Sequence, residues 1–124
     1  MRIFKTKLFH QWACKEGLND TALCRAVDEI ERGLIDANLG GRVFKKRVAI
    51  QGRGKSGGLR ALLAFKHEDK AFFIYGFAKH RRANIKVDEL KALKRYASEL
   101  PAYSHQALTK ACASGVQYEV ENNG

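Results

Sequence analysis

The chain has 124 residues and a formal net charge of +10, with 45% hydrophobic and 29% charged residues. This length suits one domain whose core needs no disulfide or metal to hold it together. No apolar run approaches the roughly 18 residues that span a bilayer, and the basic N-terminus lacks the apolar core of a signal peptide. The three cysteines have no paired spacing, which favours buried thiols in a reducing compartment. We therefore expect a cytoplasmic protein without a membrane or metal site.

The positive charge is concentrated in residues 42–82. This segment contains twelve Lys and Arg residues and two acids, whereas residues 1–41 and 83–124 each carry equal numbers of basic and acidic side chains. The same segment has the clearest strand patterns of the chain. A sheet that concentrates charge between neutral flanks predicts a surface that binds the phosphates of nucleic acid.

The first third predicts a short strand at residues 2–4 and an antiparallel helical hairpin. Thr6 is expected to cap the first helix and Gly17 to end it. Asn19 or Asp20 is expected to cap the second. The apolar residues of the second helix recur at helical spacing: Leu23, Val27, Ile30 and Leu34. Residues 38–41 read as a loop.

Three strands are predicted in the basic segment, at residues 43–50, 59–65 and 71–78. In the first, Lys45 and Arg47 alternate with apolar residues, and Lys46 interrupts the alternation. The third is apolar on both faces and is expected to be central. Its aromatic residues are expected to divide between the faces, with Phe72 on one and the other three opposite: Phe73, Tyr75 and Phe77.

The last third predicts two helices and a strand. Asn84 is expected to cap the third helix and Pro101 to stop it. Ser104 is expected to cap a fourth helix that ends near Gly115. Residues 116–120 read as a short strand added to an edge of the sheet.

The glycine-rich loop at residues 51–57 matches G-x-G-x-x-G, and its residues 54–56 have the Gly-Lys-Ser order that ends a Walker A loop. Both nucleotide motifs require a helix after the glycines, and here a strand follows. The loop retains two properties of a phosphate contact. Its glycines allow close approach of the backbone, and Arg53 and Lys55 project from it.

The order of elements, with a basic strand, an arginine-bearing strand and an apolar strand that ends in a basic cluster, resembles the RelE/HigB family of toxin–antitoxin ribonucleases. Residues 45–49 and 52–60 are similar to the signature K-x-R-V-A followed by G-x-G-K-x-G-G-x-R of the HigB-like branch. Residues 75–79 match the end of the next strand. The resemblance covers about residues 1–100 and makes 101–124 a C-terminal extension of a single domain, 1–124.

The resemblance implies an α+β fold, with a small curved antiparallel sheet, an N-terminal helical hairpin and C-terminal helices. It implies a toxin that cuts mRNA in the ribosomal A site, without metal or cofactor, by attack of the 2′-OH on the adjacent phosphate. It also implies a cognate antitoxin, often a helix-turn-helix protein that represses the operon. Operator DNA would then be reached only through the antitoxin.

The resemblance assigns catalysis to basic side chains on the strands, at the end of the third strand and in the glycine loop: Lys45, Arg47, Lys55, Arg60, Lys79 and His80. Further basic residues are expected to hold the RNA backbone: Lys46, Arg53, Arg81 and Arg82. Related toxins often carry an aromatic residue near the start of the final helix, where this chain has Ile85, Lys86 and Val87.

Elementary chemistry gives these residue types distinct tasks. Cleavage by a 2′-OH needs a proton acceptor, charge stabilisation at phosphorus and a proton donor to the leaving oxygen. Arginine suits the second task because its planar fork holds phosphate bidentately, so Arg47 and Arg60 are the candidates. Lysine acts as a base where neighbouring positive charges disfavour its protonated form, as the run of residues 45–47 suggests. His80 is the candidate for general acid or base, because histidine titrates near neutral pH.

Two other functions are compatible with the charge. One is a fold relative of the gyrase-inhibiting ParE type, and the other is a non-catalytic module that binds RNA or the ribosome. Counterion release favours any basic surface on nucleic acid. Only a site with proton-transfer groups calls for catalysis.

Overall fold

In the part of the chain that the structure describes, six strands form one mixed sheet with helices on both faces, an α+β fold. The structure, a computed structural model, describes residues 1–50, 54–66, 69–79, 81 and 85–121, and the backbone alone at 54–57 and 101. The strands are β1 (Arg2–Thr6), β2 (Ala37–Asn38), β3 (Val43–Ile50), β4 (Gly54–Lys66), β5 (Lys70–Ala78) and β6 (Gln117–Glu119). The helices are α1 (Lys7–Glu16), α2 (Asp20–Glu31), α3 (Val87–Glu99) and α4 (His105–Ala113), with a 3-10 turn at Leu100–Ala102.

The start of α1, the end of α1 and the start of α2 lie at the residues that the sequence predicts. The Thr6 hydroxyl accepts a hydrogen bond from the Phe9 N–H and caps α1. Gly17 ends α1 in the left-handed conformation, at φ 80°. The Asn19 side chain accepts the Ala22 N–H at 2.9 Å, so Asn19 is the cap of α2.

The predicted apolar stripe of α2 includes one residue, Leu34, that lies beyond the end of the helix. The helix ends at Glu31, and Gly33 adopts a φ of 84° that turns the chain away from the helix. Leu34 is consequently 53% exposed and does not join the buried residues of α2. The chain then forms the two-residue edge strand β2, part of which the sequence predicted as loop.

The sheet has the order β2-β3-β4-β5-β1-β6. Its pairs are antiparallel except for β1 and β5, which run parallel. The predicted antiparallel sheet is therefore confirmed at every pair but this one. A parallel pair requires a long connection, which the two helices and the three intervening strands provide. The prediction that β5 lies inside the sheet is confirmed.

Two apolar clusters cover the two faces of the sheet. The first, which we call the α1/α2 face, includes Phe9 of α1 and Leu23 of α2. The second, the α3/α4 face, includes Ala97 of α3 and Leu108 of α4. Because successive side chains of a strand alternate between faces, each position of β3, β4 and β5 can be assigned to one of these clusters.

A β-bulge in β5 moves two aromatic residues to the other face. Leu62 pairs with Tyr75 and the next residue, Leu63, pairs with Phe73, so Ile74 is an extra residue. Beyond the bulge Tyr75 and Phe77 join the α3/α4 face, together with Phe72. The expected division, with Phe72 opposite Tyr75 and Phe77, is wrong because period-2 alternation does not continue through a bulge.

The C-terminal segment is part of the sheet and of its core. Ser104 caps α4 by accepting the Ala107 N–H at 3.1 Å, and Leu108 of that helix is fully buried. Strand β6 pairs with β1 at the sheet edge, as predicted. Arg2 of β1 pairs with Glu119 of β6 at 2.8 Å, and this guanidinium holds the pKa of the Glu119 carboxyl below its ordinary value.

The cap of α3 is not the residue that was predicted. The helix begins at Val87, and the N-cap is Lys86, whose N–H donates to the Glu89 carboxylate at 3.3 Å. Asn84 lies outside the described residues.

Candidate active site

Three predicted site residues lie together on the α3/α4 face of the sheet. Arg47 of β3 and Arg60 of β4 are direct cross-strand partners, and Lys45 is the partner of Leu62 one step along the same face. Directly opposite residues of antiparallel strands have Cβ atoms about 4.5–5.5 Å apart. Two arginine side chains therefore begin next to each other, with a lysine on the same face two residues away.

The burial of these side chains suits a binding surface. Arg47 is exposed, whereas Lys45 and Arg60 are half-buried. One guanidinium nitrogen of Arg60, Nη1, donates to the Leu59 carbonyl at 3.2 Å, which fixes the side chain against its own strand. Because a half-buried cation is screened by water less than an exposed one, an anion at Arg60 would be attracted more strongly than at the surface.

Aromatic residues of β5 lie on the same face, as the cross-strand partners of the β4 residues. Phe77 is the partner of Arg60, and Tyr75 is the partner of Leu62. Phe77 is buried, while Tyr75 is half-buried, and their ring centroids are 6.3 Å apart. The basic pair is thus bordered on one side by aromatic surface, which is the composition of surfaces that bind single-stranded RNA.

An acid that the sequence did not single out borders the basic pair on the other side. Asp36 directly precedes β2, and its N–H donates to the Lys45 carbonyl at 3.1 Å. One of its carboxylate oxygens accepts the backbone N–H of Arg47. The other lies 3.2 Å from Nε of the Arg47 side chain. The carboxylate therefore contacts both the backbone and the guanidinium of one candidate site residue.

Lys46 does not belong to this surface. Its side chain is 5% exposed on the α1/α2 face, and its Nζ lies 2.9 Å from Oε1 of Glu29 on α2. This position does not support the expectation that Lys46 holds RNA, because alternation along β3 directs its side chain away from Lys45 and Arg47. The crowding of residues 45–47 that would make one lysine a base therefore does not include the charge of Lys46.

A further predicted site residue lies just after the end of β5, close to the basic residues of β3 and β4. The Lys79 N–H donates to the Gly58 carbonyl at 2.7 Å, so Lys79, two residues after Phe77, lies beside Gly58 of β4. Gly58 has a φ of 86°, which favours glycine at this approach of two strands. The Lys79 and Arg81 side chains are both exposed. Both extend the positive surface beyond the strand end.

Four predicted site residues cannot be placed. Arg53, His80 and Arg82 lie outside the described residues, and for Lys55 only the backbone in β4 is described. Among the residues that the structure does describe, no group of three or more His, Cys, Asp or Glu side chains could hold a metal ion.

The sheet and its helices define a small α+β protein that carries arginine and lysine side chains on one face of the sheet. Comparison with models of known protein families identifies the family to which it belongs. The family model of the RelE toxin of the RelE/RelB toxin–antitoxin system matches residues 1–120. The chain therefore belongs to the RelE toxin family. No curated protein was found to match its sequence.

Membership of this family makes the chain a toxin of a toxin–antitoxin system, with an antitoxin as its partner. Within the part of the chain that the structure describes, no helix has the length and apolar character needed to cross a membrane.

Two features of the site were not predicted from the sequence. The first is the contact of Asp36 with Arg47, and the second is the face of the sheet on which Tyr75 and Phe77 lie. The sequence carried a weak signal for the first, because Asp36 is an acid just before the basic segment. It carried no signal for the second, because the bulge at Ile74 depends on how β4 and β5 pair.

Proposed function

We propose that this toxin is an endoribonuclease that cleaves mRNA on the ribosome, by attack of a 2′-OH on the adjacent phosphate. The observation that carries the proposal is the register of Arg47 opposite Arg60, with Lys45 on the same face. Two arginines at directly opposite positions of β3 and β4 match the charge that develops on the non-bridging oxygens of a phosphorane. The family of the chain supports the same activity.

The side chains available suggest how the tasks are divided. Arg60, half-buried and held by the Leu59 carbonyl, stabilises the phosphorane, and Arg47 beside it completes the contact. Lys45 is the described candidate for proton transfer at the 2′-OH. Lys79 and His80, which follow β5 in the sequence, remain the candidates for protonating the 5′-oxygen that leaves. This reaction needs no metal, because arginine supplies the positive charge and the substrate supplies its own nucleophile.

We also propose that the chain belongs to the HigB-like branch of the family. The support is the sequence signature at residues 45–49 and 52–60, which spans parts of the two strands that carry the arginines. The partner is then a helix-turn-helix antitoxin. A short reading frame for such a protein beside the toxin gene would support this assignment.

The direct test adds the purified toxin to ribosomes that carry a defined message and maps the ends of the RNA. We expect cleavage within the A-site codon, a 2′,3′-cyclic phosphate on the upstream fragment and a free 5′-OH on the downstream one. A message with a single 2′-deoxynucleotide at the cleavage position should stay intact, because the nucleophile is missing.

The controls separate this function from the alternatives. Arg60→Ala should slow cleavage strongly, whereas Arg32→Ala, which removes an exposed arginine directly after α2, should leave cleavage normal. Intact message in the presence of ribosomes, combined with loss of gyrase supercoiling, would refute the ribonuclease and support a ParE-like toxin. Tight ribosome binding without cleavage would instead leave a non-catalytic binding module.

A further inference from the structure

The Asp36 carboxylate is anchored at the edge of the candidate site independently of the arginine side chain. One carboxylate oxygen accepts the Arg47 backbone N–H, and the Asp36 N–H is itself bound to the Lys45 carbonyl. The side chain is 24% exposed, so water reaches only part of it. An acid held in this way by the backbone on both sides keeps its place whether or not the guanidinium contacts it.

The contact with Arg47 is made through one particular nitrogen. Nε of Arg47 lies 3.2 Å from the carboxylate, while the Arg47 side chain as a whole remains 53% exposed. Nε is the inner nitrogen of the guanidinium, and the two outer nitrogens form the fork that binds phosphate bidentately. A fixed anion at the inner nitrogen limits the rotamers of a long side chain that is otherwise free to move in solvent.

We propose that Asp36 is a positioning residue, which orients the Arg47 guanidinium so that its outer nitrogens meet the scissile phosphate. The inference rests on the proposed ribonuclease function. It explains why a basic site tolerates an acid, since a carboxylate near a phosphate would otherwise weaken RNA binding. The repulsion between the Asp36 carboxylate and the phosphate is offset because the Arg47 guanidinium is already oriented when the phosphate binds.

The first test is Asp36→Asn, which keeps an oxygen that can accept the Arg47 N–H but removes the charge. We expect the single-turnover cleavage rate on programmed ribosomes to fall roughly 10- to 100-fold, as for a misplaced catalytic group. Affinity for RNA should stay the same or increase, because a negative charge has been removed from the basic surface. A loss of rate without loss of affinity is not the pattern that partial unfolding produces.

A double-mutant cycle shows whether Asp36 acts through Arg47. In an Arg47→Ala background, Asp36→Asn should no longer change the cleavage rate, because there is no guanidinium to orient. Asp28→Asn serves as the matched control, since it removes one exposed acid of α2 away from the site and should leave the rate unchanged. Faster cleavage by Asp36→Asn, or an undiminished effect in the Arg47→Ala background, would overturn the proposal.

An independent measurement requires no RNA. ¹⁵N relaxation of the Nε–H group should show Arg47 ordered in the wild-type protein and as mobile as the exposed Arg95 in Asp36→Asn. If Arg47 remained equally ordered in the variant, the positioning role would be refuted. A wild-type protein that fails to cleave RNA would refute the proposed function alone, and the relaxation data would still decide whether Asp36 orients Arg47.

Discussion

Lys46→Met tests whether this lysine is an RNA ligand or a structural ion. The sequence places Lys46 between two candidate catalytic residues, whereas the structure places its charge on the α1/α2 face, 2.9 Å from Glu29. Methionine has nearly the same shape but no charge. The substitution therefore removes the ion pair with little change in packing, and its effect measures the charge.

The structure indicates a large effect on stability. At 2.9 Å and an effective dielectric constant of about 20, the two charges attract each other by about 6 kcal/mol before desolvation is subtracted. Both side chains are largely buried, at 5% and 12% exposure. Loss of one partner of such a pair destabilises a protein by about 3–5 kcal/mol, because the other charge stays buried. With about 4 °C per kcal/mol for a chain of this length, the melting temperature should fall by roughly 12–20 °C.

The assay combines urea unfolding with RNA cleavage at a temperature where the variant is folded. We expect a lower urea midpoint with an unchanged slope and near-normal cleavage by the folded fraction. Lys45→Met is the matched control, because it removes the adjacent lysine from the other face. That variant should unfold almost like the wild type but lose most of its cleavage activity.

Unchanged unfolding of Lys46→Met together with weaker RNA binding would refute this reasoning. It would mean that the lysine leaves Glu29 and reaches the nucleic acid in solution. A double-mutant cycle of Lys46→Met and Glu29→Gln isolates the interaction between the two charges. A coupling energy below about 0.5 kcal/mol would show that they do not stabilise each other.

Three further predictions concern single residues of the sheet and of α1. Arg60→Ala should lower the cleavage rate roughly 10²- to 10³-fold, as for loss of one preorganised donor to a developing charge, and ribosome assays should find Arg60→Lys between it and the wild type. Gly76→Ala should destabilise the fold by about 1–3 kcal/mol in urea unfolding, because the added Cβ would overlap the ring of Trp12. Burial lowers the pKa of His10, and Lys5 adds to this, so the folded state binds fewer protons than the unfolded one. Stability should therefore decline as the pH falls through the ordinary histidine pKa of about 6.5, and His10→Phe should remove that slope while keeping the stack on Tyr118.

Each of these predictions has a result that would contradict it. Full cleavage activity of a folded Arg60→Ala variant would remove Arg60 from the site. Unchanged unfolding of Gly76→Ala would mean that α1 can shift away from β5 at no cost. The same stability at pH 5 and pH 7.5 for the wild type would show that His10 has one pKa in both states, and a slope that survives in His10→Phe would assign it to another group.

Much of the fold could be predicted from the sequence because local patterns determine it. The caps Thr6, Asn19 and Ser104 act on N–H groups within three residues of themselves, so their positions can be read from neighbouring residues. The bounds of β3 follow from the alternation at residues 43–50 and are confirmed. Predictions failed where a distant strand decides the outcome, as at the bulge that turns Tyr75 to the other face.

The candidate site divides in the same way. The sequence by itself determined that positive charge lies on strands, and that Lys45 and Arg47 share a face, because both follow from the order of residues and period-2 geometry. Only the tertiary structure decided that Arg60 stands opposite Arg47, because register depends on the pairing of two strands. It also decided that Lys46 pairs with Glu29 and that Asp36 contacts Arg47. Such partners are 11 or more residues apart in the chain, and only folding brings their charges within reach of each other.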